Sequence, residues 1–252
     1  MLYIIATPIG NLEDISLRAL RILGEVDFIL CEDTRVTKNL LNHYKINTKL
    51  LSYHQHSKDQ KVDSLLGLLR DGKILALVSD AGTPGISDPG GKLVQRVLED
   101  QTLSSSNEQE DARYKIESIP GPSALTAALS ISGLPTDKFI FMGFPPHKKG
   151  RLTFIKKVLD TEYPVVVYES KYRIIKFLEE INEYQNQLIK KFETEINSKG
   201  AKRPKDLTSI VVCRELTKMH ETTYRGEIKN IINKIKQDPN AQRGEFVVVI
   251  GK

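Results

Sequence analysis

Short apolar runs alternate along the first half of the chain with longer segments whose apolar residues recur at helical spacing. The apolar runs predict strands at 2–7, 27–31, 49–54, 74–79 and 115–120. The amphipathic segments between them predict helices at 16–24, 37–44, 59–70 and 91–100. Such alternation is typical of a mostly parallel sheet with helices on its faces.

The second half repeats this alternation. It predicts strands at 139–144, 164–170, 209–216 and 244–251, and helices at 123–132, 150–160, 171–184 and 226–236. The segment IPGPSA separates the halves, and its two prolines cannot continue a strand. We therefore predict an N-terminal α/β domain, 1–118, and a C-terminal α/β domain, 119–252. The polar segments 101–113 and 198–206 are predicted to be exposed loops.

Composition narrows the class of protein. An apolar fraction of 40% and a charged fraction of 27% are ordinary for a soluble globular protein. No apolar run approaches the ~18 residues of a membrane span, and the first residues lack the basic region of a signal peptide. These features favour a cytoplasmic protein. Cys31 and Cys213 have no second cysteine or histidine at ligand spacing, so we expect buried free thiols and no metal site.

Charge is unevenly distributed along the chain. Residues 1–117 carry 14 Lys and Arg against 17 Asp and Glu, a net charge of −3. Residues 118–252 carry 23 against 15, a net charge of +8. A basic half joined to a mildly acidic half is expected where one half contacts a polyanion, although lysine-rich solvated helices give the same pattern.

Polar residues end the strands of the second half. The strip HKKGRLTFIKK at 147–157 holds five cations and no acidic residue, which indicates either contact with RNA phosphate or a solvated helix face. The candidate RNA contacts are Lys148, Lys149 and Arg151. In CRELTK, Arg214 and Glu215 are expected to pair with each other.

Loops with turn-forming residues follow two strands of the first half. The loop LVSDAGTPGISDPGG at 77–91 holds four glycines, two prolines and two aspartates, more than a simple connection needs. We interpret it as a rigid loop whose bare backbone lies against a ligand. The loop ATPIGNLEDIS at 6–16 turns tightly, and Asp14 or Ser16 can cap the helix that follows. It lacks the glycine spacing of a dinucleotide site or a phosphate loop.

Charged residues follow the second strand. Glu32, Asp33 and Arg35 in CEDTR could supply a general base and a substrate clamp, or form a local ion network. His54 and His56 end the third strand without a further ligand at metal-binding spacing. An exposed polar edge is the simpler interpretation of these histidines.

Nine segments are distinctive when taken in order: ATPIGNLEDISLRAL, CEDTR, SYHQHS, LVSDAGTPGISDPG, IPGPSALTAALSISGLP, FMGFPPHKKGR, YES, RELTK and GEFVVVI. Together they resemble the tetrapyrrole methylase family and, within it, the branch that methylates ribose in small-subunit ribosomal RNA. Each segment alone is unspecific, whereas the ordered set is highly specific and runs from the first predicted strand to the last.

The resemblance implies two dissimilar α/β domains with S-adenosylmethionine in the cleft between them. It also implies a homodimer and 2′-O-methylation of a ribose, that of a cytidine, in small-subunit ribosomal RNA. Glu32 and Asp33 are then the candidate general bases, Arg35 positions the RNA, and no metal is required. The implied cofactor-binding residues are Pro8, Ile9, Gly10, Ala81, Gly82, Thr83, Ile86, Ser123, Ala124, Tyr168, Glu169 and Leu216.

Two alternatives stay open at this point. A tetrapyrrole C-methyltransferase of the precorrin or sirohaem type shares the fold and cofactor but accounts less well for CEDTR and the basic strip. A non-catalytic RNA-binding assembly protein does not need to bind the cofactor. The chain also departs from the family's usual Glu-Ser-Pro-His-Arg, because Lys171 and Tyr172 stand where that segment has proline and histidine.

Overall fold

The protein consists of two compact units, Met1–Ser123 and Ala124–Lys252. The division falls within IPGPSA, a few residues after the predicted junction. The structure is a computed structural model, and it describes residues 1–54, 57, 59–104, 114–195 and 209–251. His56, most of the predicted loop 101–113 and all of the predicted loop 198–206 lie outside the described residues.

The first unit is built on a five-stranded parallel sheet, as predicted. Its spatial order is β3-β2-β4-β1-β5, and every neighbouring pair is parallel. The strands are β1 (Leu2–Ile5), β2 (Phe28–Cys31), β3 (Lys49–Ser52), β4 (Leu75–Leu77) and β5 (Ile116–Ile119). Apolar residues fill β1 because both of its faces are covered: Leu2 belongs to one core cluster and Ile5 to the other.

Helices cover both faces of this sheet. They are α1 (Leu17–Glu25), α2 (Thr34–His43), α3 (Asp59–Arg70) and α4 (Gly90–Ser104), with a short 3-10 helix at Leu12–Asp14. The first two pack around Ile5 and Ile29, and the other two pack around Leu2 and Leu30. The α4 helix continues through Ser104, so the first residues of the predicted loop 101–113 are helical instead.

The order of the strands creates a switch point between β1 and β4. The chain leaves β1 towards β2 on one side, whereas it leaves β4 towards β5 on the other side. Two neighbouring strands whose connections diverge in this way leave a crevice at their carboxyl ends, which is the usual ligand position in open α/β sheets. The loops 6–16 and 78–89 begin at this point.

The second unit contains a different sheet, of order β6-β7-β10-β8-β9. Only the pair β6 and β7 is parallel among its described neighbours, so a similar alternation of strands and helices forms a mostly antiparallel sheet here. Its strands are β6 (Ile140–Phe141), β7 (Val165–Ser170), β8 (Ile210–Arg214), β9 (Thr222–Gly226) and β10 (Glu245–Ile250). The sequence did not predict β9, because TTYRG is short and polar and lies at the edge of the sheet.

Four helices complete the second unit. They are α5 (Ala124–Ser132), α6 (Arg151–Asp160), α7 (Ile174–Glu195) and α8 (Ile228–Gln237). The last three share one core with the sheet, centred on Phe177 and Phe246, while α5 packs against β10. In the part of the chain that is described, no helix has the length and apolar character needed to cross a bilayer.

Candidate active site

The loops after β1 and β4 are bonded to each other at the switch point. The Thr7 amide donates to the carbonyl oxygen of Gly82 at 2.9 Å, and the Gly82 amide donates back to Thr7 at 3.0 Å. The Thr7 hydroxyl donates to the carbonyl oxygen of Ser79 at 3.1 Å. These bonds fix the two loops as one rigid edge. Sequence reasoning missed Thr7 and Ser79, although a polar residue directly after an apolar strand is the signal that could have identified them.

Gly82 is required where three loops meet. Its φ of +80° is unfavourable for a residue with a Cβ, and a Cβ built there would lie 3.3 Å from Cγ2 of Ile9 and 3.6 Å from the carbonyl oxygen of Pro122. The Thr83 hydroxyl donates to the same Pro122 oxygen at 3.0 Å. The side of Gly82 on which a Cβ would stand therefore faces protein, so glycine at this position allows the three loops to pack closely.

The rest of the glycine-rich loop is organised by one carboxylate. Oδ1 of Asp88 accepts the amides of Gly85 at 2.8 Å and Gly90 at 2.7 Å, and these bonds lead the chain into α4. The exposed positions of the loop include Ala81 and Ile86. They are apolar groups presented at the carboxyl edge of the sheet, beside the switch point.

Glu32 has an unusual environment among the acidic residues at this edge. It follows β2, and burial raises the pKa of its carboxyl group above the ordinary value. The negative charges of Asp80 and Asp88 raise the pKa further. A carboxylate of raised pKa accepts a proton more readily than an ordinary one, which is what a general base requires.

Asp33 and Arg35 form a local ion pair instead. Asp33 caps α2 by accepting the Arg35 amide at 2.8 Å, and its second oxygen accepts the guanidinium at 2.7 Å. The hydrogen bonds from Arg35 lower the pKa of Asp33 to about 2. The Asp33 amide donates to Asp80 at 3.1 Å, which links this turn to the glycine-rich loop. Of the three charged residues for which the sequence allowed a local ion network, Asp33 and Arg35 form one and Glu32 does not take part in it.

The remaining candidates of the first unit lie on the same edge. Pro8 is half-buried, Ile9 is buried and Gly10 is exposed after β1, and Ser123 is half-buried at the end of the unit. Ser16 caps α1, one of the two caps that the sequence allowed.

Across the described ranges, no group of three His, Cys, Asp or Glu side chains is arranged to hold a metal ion.

Three candidates of the second unit lie near the ends of its strands and helices. The Tyr168 hydroxyl accepts the amide of Leu125 at 3.1 Å, beside Ala124 at the start of α5. The Tyr168 ring makes edge-to-face contacts with Phe141 and Phe144, at 4.9 and 5.6 Å between centroids. Leu216 is buried directly after β8.

Two predicted site residues are internal ion-pair partners. The Glu169 side chain is 0% exposed and pairs with Arg173 at 2.8 Å and with Arg151 at 3.8 Å. The Arg151 side chain is 8% exposed, and its Nε also donates to Glu180 at 2.5 Å. Both side chains are therefore buried and paired inside the unit, which is not the exposure that an RNA contact of Arg151 or a donor contact of the Glu169 side chain requires. Nη2 of Arg151 and Oε2 of Glu169 are buried there without a hydrogen-bond partner among the described residues.

The other polar residues of the second unit differ in exposure. Lys148 and Lys149 are exposed in the turn before α6, as an RNA contact requires. Arg214 and Glu215 do not pair with each other, which corrects that expectation. The Arg214 guanidinium donates to three backbone carbonyls, whereas the Glu215 carboxylate binds Lys218 at 2.9 Å.

Both cysteines are buried free thiols, as the sequence predicted. Burial raises the pKa of Cys31, and it raises the pKa of Cys213 to about 11. Both groups are therefore protonated at neutral pH, and neither is a nucleophile.

Proteins of known name resemble the chain over its full length. A family model for tetrapyrrole (corrin/porphyrin) methylases matches residues 1–232. Three relatives are named ribosomal RNA small subunit methyltransferase I. The one from Hydrogenobaculum sp. (strain Y04AAS1) is 42% identical and is covered to 95%, with 100% of this chain aligned. The relative from Escherichia coli O157:H7 is 39% identical, and the alignment spans 99% of this chain and 77% of the relative. The relative from Thermotoga maritima is 37% identical, and the alignment spans 99% of this chain and 97% of the relative.

Solved structures share the fold at lower identity. A cobalt precorrin-4 methyltransferase of cobalamin biosynthesis superimposes with a TM-score of 0.61 at 19% identity, over 99% of this chain and 94% of that one. A uroporphyrin-III C-methyltransferase from Thermus thermophilus superimposes with a TM-score of 0.58 at 16% identity, over 100% and 94%. The predicted α/β fold is confirmed, and the chain belongs to the tetrapyrrole methylase family.

Proposed function

We propose that the chain transfers a methyl group from S-adenosylmethionine to a ribose 2′-hydroxyl, that of a cytidine, in small-subunit ribosomal RNA. The names of the full-length relatives support the RNA substrate. The observation that carries the proposal is the rigid edge at the switch point of the first sheet. There a raised-pKa carboxylate, Glu32, lies among loops bonded to each other.

The chemistry of this edge fits the donor. A sulfonium carries a positive charge, and the carboxylates of Asp80 and Asp88 are each near enough to Glu32 for their charges to act on it. Ala81 and Ile86 offer exposed apolar groups for the nucleoside. The donor contacts proposed on the first unit are Pro8, Ile9, Gly10, Ala81, Gly82, Thr83, Ile86 and Ser123. Those proposed on the second unit, from the resemblance, are Ala124, Tyr168 and Leu216.

Glu32 is the proposed general base. When bound, S-adenosylmethionine supplies an electrophilic methyl group, so the protein must chiefly align the reactants and activate the nucleophile. A ribose hydroxyl is a very weak acid, and a base of raised pKa accepts its proton more readily than one held near 2. Glu32 therefore takes this proton, while Asp33 stays ionised and holds Arg35 and α2 in position.

The rival functions predict different products. A tetrapyrrole C-methyltransferase methylates a carbon of the macrocycle, and the structures that would favour it are no more than 19% identical to the chain. An RNA-binding protein without activity does not need to bind the donor and methylates no product. The relatives at 37–42% identity favour an RNA methyltransferase over both.

The test is transfer of labelled methyl groups from S-adenosylmethionine to unmethylated small ribosomal subunits. Ribose-methylation mapping then identifies the labelled nucleotide. The proposal predicts label in one 2′-O-methylated ribose, and mapping to a cytidine supports the assigned base. Label in an added tetrapyrrole but not in RNA, at saturating donor, contradicts the proposal.

Lys148 and Lys149 are the proposed contacts with RNA phosphates. Replacing both by alanine should reduce the slope of log affinity against log salt by about two, because each lysine bound to phosphate releases about one counterion. The measurement is RNA binding at several salt concentrations, with affinity for the donor unchanged. The matched control is Lys156→Ala with Lys157→Ala, which removes the same charge from exposed positions farther along α6. An equal change of slope in both variants would contradict a specific phosphate contact, because Lys148 and Lys149 would then contribute only to the overall positive charge.

We further propose that the protein acts in the cytoplasm as a homodimer. The first statement is supported by the ribosomal substrate of the relatives, and the second by the resemblance to the family. Light scattering coupled to size exclusion tests the second. A mass twice that of the 28.5 kDa chain supports a dimer, and a mass equal to it contradicts one.

A further inference from the structure

Two turns at the carboxyl ends of β6 and β7 are tied together by two arginines, the buried Arg151 and the half-buried Arg173. Arg173 donates from Nη1 to the carbonyl oxygen of Pro145 at 3.1 Å, and Arg151 donates from Nη1 to that of Pro146 at 3.0 Å. Both guanidiniums also pair with the fully buried Glu169. The turn before α6 and the turn before α7 therefore form one rigid platform, which we define as residues 144–150 and 170–173.

The exposed residues of this platform include an aromatic ring and cations. Tyr172 is 84% exposed, although its ring is large and apolar. The Nζ atom of Lys171 lies 5.0 Å from the centroid of that ring, and Lys148 and Lys149 are exposed in the other turn. Neither turn contains an acidic residue. The surface therefore offers a flat apolar face within a positive field.

An unpaired stretch of RNA matches this combination. Its phosphates are attracted to lysines, and its unstacked bases pack on exposed aromatic rings. A rigid mount favours such stacking, because the ring loses little freedom when it binds. The two arginines supply that mount, since they hold the backbone carbonyls of Pro145 and Pro146, and Arg173 also donates to the Ser170 hydroxyl within the turn of Tyr172.

We propose that Tyr172 stacks on an unpaired base of the RNA substrate, beside phosphates bound by Lys148, Lys149 and Lys171. The inference rests on the proposed function, because it describes how the same RNA substrate is bound. It assigns Tyr172 to RNA binding and not to methyl transfer.

The test compares Tyr172→Ala with Tyr172→Trp in binding to unmethylated small-subunit ribosomal RNA. Alanine should weaken binding by about tenfold, because each base stacked on an aromatic ring contributes on this scale. Tryptophan should keep or strengthen binding, since it also offers a flat face. The slope of log affinity against log salt should stay unchanged in both variants, because no phosphate contact is removed.

Tyr163 provides the matched control. It is 39% exposed and carries a lysine over its ring in the same way, with Nζ of Lys138 at 5.6 Å, but it precedes β7 instead of following it. Tyr163→Ala should bind RNA as the wild type does. Equal loss in Tyr163→Ala and Tyr172→Ala, or wild-type binding by Tyr172→Ala, overturns the stacking proposal. Failure of the wild-type protein to methylate RNA overturns the proposed function instead.

Discussion

Glu32→Gln should slow methyl transfer by roughly 100- to 10,000-fold, the range attributed to a positioned general base. The amide keeps the size of the side chain but cannot accept the ribose proton. Affinity for S-adenosylmethionine should change much less, because the other contacts at the switch point remain. Single-turnover kinetics with small ribosomal subunits, together with calorimetric titration of the donor, measures the two effects separately.

Asp33→Asn is the matched control for this substitution. Asparagine caps helices as well as aspartate does, so α2 is retained while the charge opposite Arg35 is lost. The Asp33 variant should keep most of its single-turnover rate. A large loss in Asp33→Asn with a near-normal rate in Glu32→Gln would exchange the roles assigned to these two carboxylates.

The pH dependence of Glu32→Gln gives an independent readout. In the wild-type enzyme, the rate should fall as pH drops through the raised pKa of Glu32, and the variant should lack this limb. Because the folded-state pKa of Glu32 lies above its unfolded value, ionisation of Glu32 opposes folding at pH values above the unfolded pKa. The variant should therefore melt at a higher temperature than the wild type at neutral pH. This gain should disappear in acid, below the unfolded pKa.

Glu169→Ala should lower the free energy of unfolding by about 3–5 kcal/mol, the usual loss when one partner of a buried ion pair is removed. The substitution leaves the guanidiniums of Arg151 and Arg173 without their central carboxylate. The Pro145 and Pro146 turn, held by the same guanidiniums, should lose protection in hydrogen exchange. Urea denaturation measures the first effect.

An exposed ion pair between α7 and α8 provides the control for Glu169. Glu179 binds Lys236 at the surface, so Glu179→Ala should change stability by less than about 1 kcal/mol. The account is contradicted if Glu169→Ala changes the free energy of unfolding no more than this control does and abolishes donor binding. Glu169 would then be a cofactor ligand.

The fold of the first unit could be predicted because each of its strands is a short apolar run between amphipathic helices. That pattern follows from a parallel sheet buried on both faces. The second unit has similar runs, in β7 and β10, but run length does not encode whether neighbours are parallel. Strand β9, which the sequence did not predict, has no apolar run, because TTYRG forms an edge of the sheet.

The candidate site was predictable as a location but not as a set of roles. The sequence located Glu32, Asp33 and Arg35 at one strand end. It could not separate the two carboxylates, because the pKa of Glu32 depends on burial and on Asp80 and Asp88, which follow another strand. The same holds for the basic strip at 147–157. The sequence shows five cations but does not show that Arg151 is the one that is buried against carboxylates.

Calorimetric titration of S-adenosylmethionine tests most directly the central claim that the joined loops of the first sheet bind the donor. Gly82→Ala forces a Cβ towards Ile9 at a φ of +80° and should weaken binding by on the order of tenfold, as the strain of a left-handed residue shifts the loops. Gly72→Ala places the same strain, at a φ of +78°, in the turn before β4 at the opposite edge and should bind as the wild type does. Wild-type affinity in Gly82→Ala, or equal loss in both variants, would contradict the claim.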